Sequence, residues 1–107
     1  MPFQIIETDE PRWVRLVGEL DLYSVPIANG VLERKCAVGS DLFLELSQLD
    51  FIDSSGVQSL ITAFLSLKSK GARLVLQSPT EPIRRVLDLL GLTANGVVVQ
   101  EAATPTG

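Results

Sequence analysis

The chain has 107 residues, 46% of them hydrophobic, with 9 basic against 13 acidic side chains, a formal charge of -4 at pH 7 and no histidine. Such a length and apolar content suit one domain with its own core, and the acidic balance disfavours a nucleic-acid backbone or an anionic membrane as partner, since both need clustered Lys and Arg. With no histidine and one cysteine, Cys36, the usual general base, the nucleophilic triads, internal disulfides and zinc ligation drop out, and only carboxylate or lysine chemistry stays open.

Residues 1–12 lack the charged head and long apolar stretch of a signal peptide, and no apolar run approaches membrane-spanning length. With the lone thiol, this leads to the expectation of a cytoplasmic protein. Residues 3–8 alternate weakly and end in Thr8, Asp9, Glu10 and Pro11, which predicts an edge strand and a turn. Residues 13–17 predict a second strand, paired with the first as a hairpin and ended by Gly18. Ser24 is placed to cap a helix that carries Pro26 in its first turn and runs to Ala37. Gly30 inside that helix costs it up to about 1 kcal/mol relative to alanine. Residues 41–46 predict a third strand.

The clearest helix spans residues 55–70, where Val57, Leu60, Ile61, Phe64, Leu65 and Leu67 recur at helical spacing. Gly71 stops it after two lysines that suit a helix C-terminus. Residues 73–77 predict a fourth strand. Ser78, Pro79 and Thr80 lead into a third helix whose apolar positions Ile83, Val86, Leu87 and Leu90 fit the same spacing, closed by Gly91, and residues 97–99 predict a last strand. The tail 101–107 is small and polar and is expected to be disordered. Strands joined through helices run parallel by right-handed crossovers, so the expected fold class is α/β: a mixed, mostly parallel sheet of about five strands, helices mainly on one side, in a single domain over residues 1–100.

Phe51-Ile52-Asp53-Ser54-Ser55-Gly56-Val57 joins the third strand to the central helix. In open α/β sheets sites collect at the carboxyl ends of parallel strands, where a helix N-terminus favours an anion. On its own the loop is explained by capping, because Asp and Ser are preferred there. Asp53 could also be read as the phosphoacceptor of a response-regulator receiver, but the Mg²⁺-binding acidic cluster and a late lysine are missing; no lysine follows Lys70. A serine hydrolase fails because no histidine can activate Ser54 or Ser55.

Three stretches taken together are more specific. Gly18-Glu19-Leu20-Asp21, the loop from Phe51 to Gly56, and Ser78-Pro79 followed by Arg84-Arg85-Val86-Leu87 and Gly91-Leu92 resemble, in order and spacing, the motifs of STAS domains of the anti-sigma-factor antagonist kind. The resemblance covers roughly residues 5–99. Pro79, Glu81 and Pro82 in the segment 78–83, and Gly30 in the first helix, depart from the family pattern.

The resemblance implies a STAS fold and a non-enzymatic role with no cofactor, metal or catalytic residue of its own. It implies phosphorylation at Ser54, with Ser55 the weaker candidate, by an anti-sigma factor with serine kinase activity that itself binds ATP and Mg²⁺. The unphosphorylated chain is expected to bind that factor and free a sigma factor for a stress response. Asp21, Ser24, Asp53, Ser54, Ser55, Gly56, Gln58 and Ser59 are the candidate partner-facing residues, with Gln58 and Ser59 expected to face outward.

Each has a plainer reading: Asp21 ties a loop, Gly56 is a small residue in a tight turn, and exposed helices always show some polar groups. Trp13 and Phe64 are expected in the core, and Cys36 as a small buried apolar residue. The chain is expected to act as a monomer or weak dimer. The alternative from the same resemblance is a constitutive scaffold module, not phosphorylated, that binds a transporter ATPase in a larger complex. Nucleotide binding by the domain itself has no glycine-rich phosphate loop behind it.

Overall fold

The computed structural model describes residues 2–100, and the expected tail 101–107 lies outside them. Five strands and three helices follow in the order β1 (Gln4–Glu7), β2 (Trp13–Leu20), α1 (Val25–Ala37), β3 (Leu42–Ile52), α2 (Ser54–Ser69), β4 (Leu74–Gln77), α3 (Glu81–Leu89) and β5 (Val98–Gln100), with a short 3-10 turn at Thr93–Asn95. The sheet order is β1-β2-β3-β4-β5. The hairpin β1–β2 is antiparallel and the other three pairs are parallel, so each crossover steps to the neighbouring strand in one direction.

Alternation along the strands decides what the helices cover. Leu42, Leu44 and Leu46 of β3, Val14 and Leu16 of β2, and Leu74 and Leu76 of β4 share one core with Ala28, Leu32 and Cys36 of α1, Val57, Leu60, Phe64 and Leu67 of α2, and Ile83 and Leu87 of α3. The other face carries Trp13 stacked on Phe43, ring centroids 4.8 Å apart. Trp13 is therefore half-buried on the second face of the sheet, not in the main core where it was expected. Phe64 and Cys36 are in that core, and burial pushes the Cys36 thiol pKa up.

Two boundaries differ from expectation. Gly18 does not end β2; with φ 91° it sits where the register shifts between Gly18 and Glu19, and the strand continues to Leu20. A bulge of this kind is what an isolated strand glycine signals. Likewise β3 does not stop at Leu46 but runs to Ile52, because Ser47 and Gln48 fall beside a second register shift, between Arg15 and Val17. Leu49 and Ile52 then return to the core face. The extension carries β3 past the end of β4 and delivers Asp53 and Ser54 beside the end of β2.

Candidate functional site

The site is built where β2 and β3 end side by side. Asp53 has extended backbone (φ -105°, ψ -175°) and is the N-cap of α2, its Oδ1 accepting the Gly56 N–H at 2.9 Å. Its Oδ2 accepts the Leu22 N–H at 3.3 Å, and its own N–H donates to the Leu20 carbonyl at 3.2 Å. One carboxylate thus caps α2 and ties the loop after β2 to it. The helix accordingly opens at Ser54, one residue earlier than the periodicity suggested.

Gly56 is where the two segments touch. A Cβ there would lie 2.6 Å from the Leu20 backbone carbonyl oxygen and 2.7 Å from the Ile52 side-chain Cγ1, both inside van der Waals contact. Close approach, not helix geometry, requires glycine here.

The loop of residues 21–24 is folded on itself. Asp21 Oδ1 accepts the N–H groups of Tyr23 at 3.0 Å and Ser24 at 3.1 Å, and the Ser24 hydroxyl accepts the Asp21 N–H at 2.9 Å while lying 2.9 Å from the Glu19 carbonyl, to which it can donate. Ser24 is buried, and its side chain does not cap α1 in the expected way. Its hydroxyl is consumed by the loop, which removes it from the surface set. Asp21 is half-buried and tied in the same way, as its plainer reading held.

Ser59 is the second correction. It does not face outward but is 5% exposed, its hydroxyl donating to Asn29 Oδ1 at 2.8 Å across the α1–α2 seam. Residue 59 falls on the side of α2 that meets α1, which helical periodicity alone does not distinguish from a solvent-facing flank. Asn29 was missed for the same reason. Ser54 and Gln58 are exposed and Ser55 half-buried; with Val25, Asn29, Ser59 and Thr62 they line an open cleft of about 480 Å³. No side-chain hydrogen bond engages Ser54 among the described residues.

Among the described residues no group of three or more acidic or thiol side chains is placed to hold a metal ion, and no helix is long and apolar enough to cross a membrane. The chemistry available is a free hydroxyl on the first residue of a helix, next to a carboxylate already committed to two backbone N–H groups.

Residues 2–100 match the family profile of the STAS domain. The chain belongs to the STAS domain family. Over 79 residues it is 32% identical to the anti-sigma-B factor antagonist of Bacillus subtilis strain 168, covering 74% of this chain and 72% of that protein. Among solved structures, the anti-sigma factor antagonist SpoIIAA in its unphosphorylated form superposes with a TM-score of 0.70 at 23% identity, over 95% of this chain and 90% of that one. The Bacillus cell fate determinant SpoIIAA in the phosphorylated form gives 0.70 at 24%, over 95% and 92%. These likenesses fix the fold of this STAS domain as the one the motifs implied.

Proposed function

We propose that this STAS domain is an anti-sigma factor antagonist switched by phosphorylation of Ser54. Unphosphorylated, it binds an anti-sigma factor with serine kinase activity and thereby frees a sigma factor; phosphorylated, it lets go. The observation that carries the reading is the exposed, unengaged Ser54 on the first turn of α2, in an open cleft and beside the Asp53 cap. Kinship with the Bacillus subtilis antagonist of the sigma-B system supports the class of partner.

In this reading the chain is a substrate and not an enzyme. The partner brings ATP and Mg²⁺ and a base for the hydroxyl proton, the γ-phosphoryl group moves to Ser54 Oγ, and ADP leaves with the partner.

The direction of the switch follows from charge. A phosphoserine adds about -1.5 to -2 charges and three acceptor oxygens. The α2 dipole returns about 1 to 2 kcal/mol at best, and the cap has already taken the Gly56 N–H. Between residues 16 and 67 the only cations are Arg34 and Lys35, at the far end of α1, while Asp21 and Asp53 stand close by. Leaving a charge unpaired in an interface costs on the order of 2 to 5 kcal/mol, so repulsion wins.

The test is to incubate the purified chain with the kinase-type anti-sigma factors of its own organism and Mg-ATP, and to map added phosphate by mass spectrometry. Phosphate on Ser54, absent in Ser54→Ala, is the expected result. Tight binding without phosphorylation would instead favour the unswitched scaffold.

A further inference from the structure

The loop of residues 21–24 does something that loop closure does not require. It presents Leu22 at 64% and Tyr23 at 88% exposure, and one turn into α1 Ile27 is 58% exposed. Single exposed apolar residues are ordinary, but three within six residues are not, and Tyr23 and Ile27 line one cleft. We propose that Leu22, Tyr23 and Ile27 are the apolar anchor on which the anti-sigma partner seats, through a face that offers an apolar pocket rimmed by basic side chains. The proposal rests on the antagonist reading above and adds to it where the affinity comes from.

Three observations carry it. First, the anchor is rigid before binding. Tyr23 N–H is held by Asp21 Oδ1, and Leu22 N–H by Asp53 Oδ2, so the backbone of the loop has little ordering entropy left to lose when a partner arrives. An exposed tyrosine on a fixed backbone is the residue type that dominates interface energetics.

Second, the anchor adjoins the switch. The N-terminus of α1 separates two clefts: one, lined by Val25 and Asn29, holds Ser54, and the other, of about 310 Å³, lies between Tyr23, Ile27 and Phe3. A partner covering Ser54 reaches the anchor without leaving the surface, and Leu22 is hydrogen-bonded to the residue that precedes Ser54.

Third, the surroundings select the partner's charge. Glu19 and Asp21 line the second cleft, with Arg34 and Lys35 drawn away to Glu7. A basic rim on the partner, facing this second cleft on the other side of the α1 N-terminus from Ser54, complements it and speeds encounter, and an acidic one is repelled.

The experiment uses the full-length chain and the purified kinase-type anti-sigma factor that binds it. Dissociation constants are measured for Leu22→Ser, Tyr23→Ser, Tyr23→Phe, Ile27→Ser and Glu19→Lys, with Leu89→Ser, 82% exposed on α3, as control. The KM and kcat for Ser54 phosphorylation are measured in parallel. The expected result is a loss of affinity of about tenfold or more for Tyr23→Ser and Ile27→Ser, wild-type binding by Tyr23→Phe and Leu89→Ser, and slower association with Glu19→Lys. Ser54 phosphorylation should show a raised KM with kcat unchanged, and melting curves should match the wild type because the altered side chains are exposed.

Wild-type affinity in Tyr23→Ser and Ile27→Ser, with Ser54 still phosphorylated, would overturn the anchor and leave the switch standing. A wild-type chain that neither binds nor is phosphorylated by any of the kinases would overturn the switch, and the anchor with it.

Discussion

At the carboxyl end of the parallel strands, segments are joined by carboxylate and hydroxyl groups bonded to backbone: Asp53 to the N–H groups of Gly56 and Leu22, Ser24 to Asp21 and Glu19. At the amino end they are joined by ion pairs. Asp41 takes the Arg73 N–H at 2.8 Å and its guanidinium at 3.0 Å, and Glu7 is gripped by Arg34 at 2.9 Å and Lys35 at 3.1 Å. Opposite charges are therefore spent on one another at the amino end, whereas around Ser54 the carboxylates of Asp21 and Asp53 go to backbone N–H groups and, among the described residues, the serine hydroxyl is left without a side-chain bond. A phosphate added there meets the like charges of Asp21 and Asp53, which outweigh the α2 dipole, and that is the condition a repulsive switch needs.

The contrast can be broken most severely at Gly56. Gly56→Ala forces a Cβ against the Leu20 carbonyl, and overpacking of that kind costs about 1 to 3 kcal/mol. Thermal unfolding should show a drop of many degrees, and partner binding should fall with it because the ends of β2 and β3 are pushed apart.

Asp53→Ala comes next. It removes a cap worth about 1 to 2 kcal/mol and frees the loop of residues 21–24, whereas Asp53→Asn keeps most of the cap. Denaturant titration separates the two, and amide exchange at Leu22 should quicken in the alanine variant.

Gly30→Ala acts in the opposite direction. A Cβ there meets nothing within 4 Å, so roughly 0.5 to 1 kcal/mol of helix propensity is gained with no effect on partner binding. A rise in denaturation midpoint without a change in affinity checks it.

The amino end should betray itself through pH. Arg34 and Lys35 hold the Glu7 carboxyl at about 2 rather than 4.5, so the folded state binds this proton less readily than the unfolded chain. The stabilisation is complete above pH 4.5 and is lost as pH falls from there towards 2. Because the pair is exposed, the effect is small and shrinks with added salt. Comparing acid unfolding of Glu7→Gln with wild type measures it.

Much of this was legible in the amino-acid sequence. Apolar periodicity and the breakers between segments located the five strands and three α-helices in their chain order. The ends of β2 and β3 were misread because Gly18 and Ser47-Gln48 look like breakers when the partner strand is unknown; as bulges they bend a ladder that continues. Asp53 was legible as a cap, but its second bond, to Leu22, spans 31 residues and leaves no local mark. Ser24 and Ser59 were counted as surface because a hydroxyl's partner, here a carbonyl five residues back or an asparagine on another helix, is fixed only by packing. The exposed Leu22 and Tyr23 run against the rule that apolar residues turn inward, because the bonds that fold the loop at Asp21 and Ser24 hold them out.

The central claim is that charge on Ser54 ejects the partner. Its most direct test is to titrate one anti-sigma factor with the chain phosphorylated on Ser54 and with the same chain unphosphorylated, at fixed salt. A ten- to thousand-fold loss of affinity, roughly 1.4 to 4 kcal/mol, is expected on phosphorylation, with the fold unchanged and Ser54→Ala binding like the unphosphorylated form. Equal affinity of the two forms would contradict it.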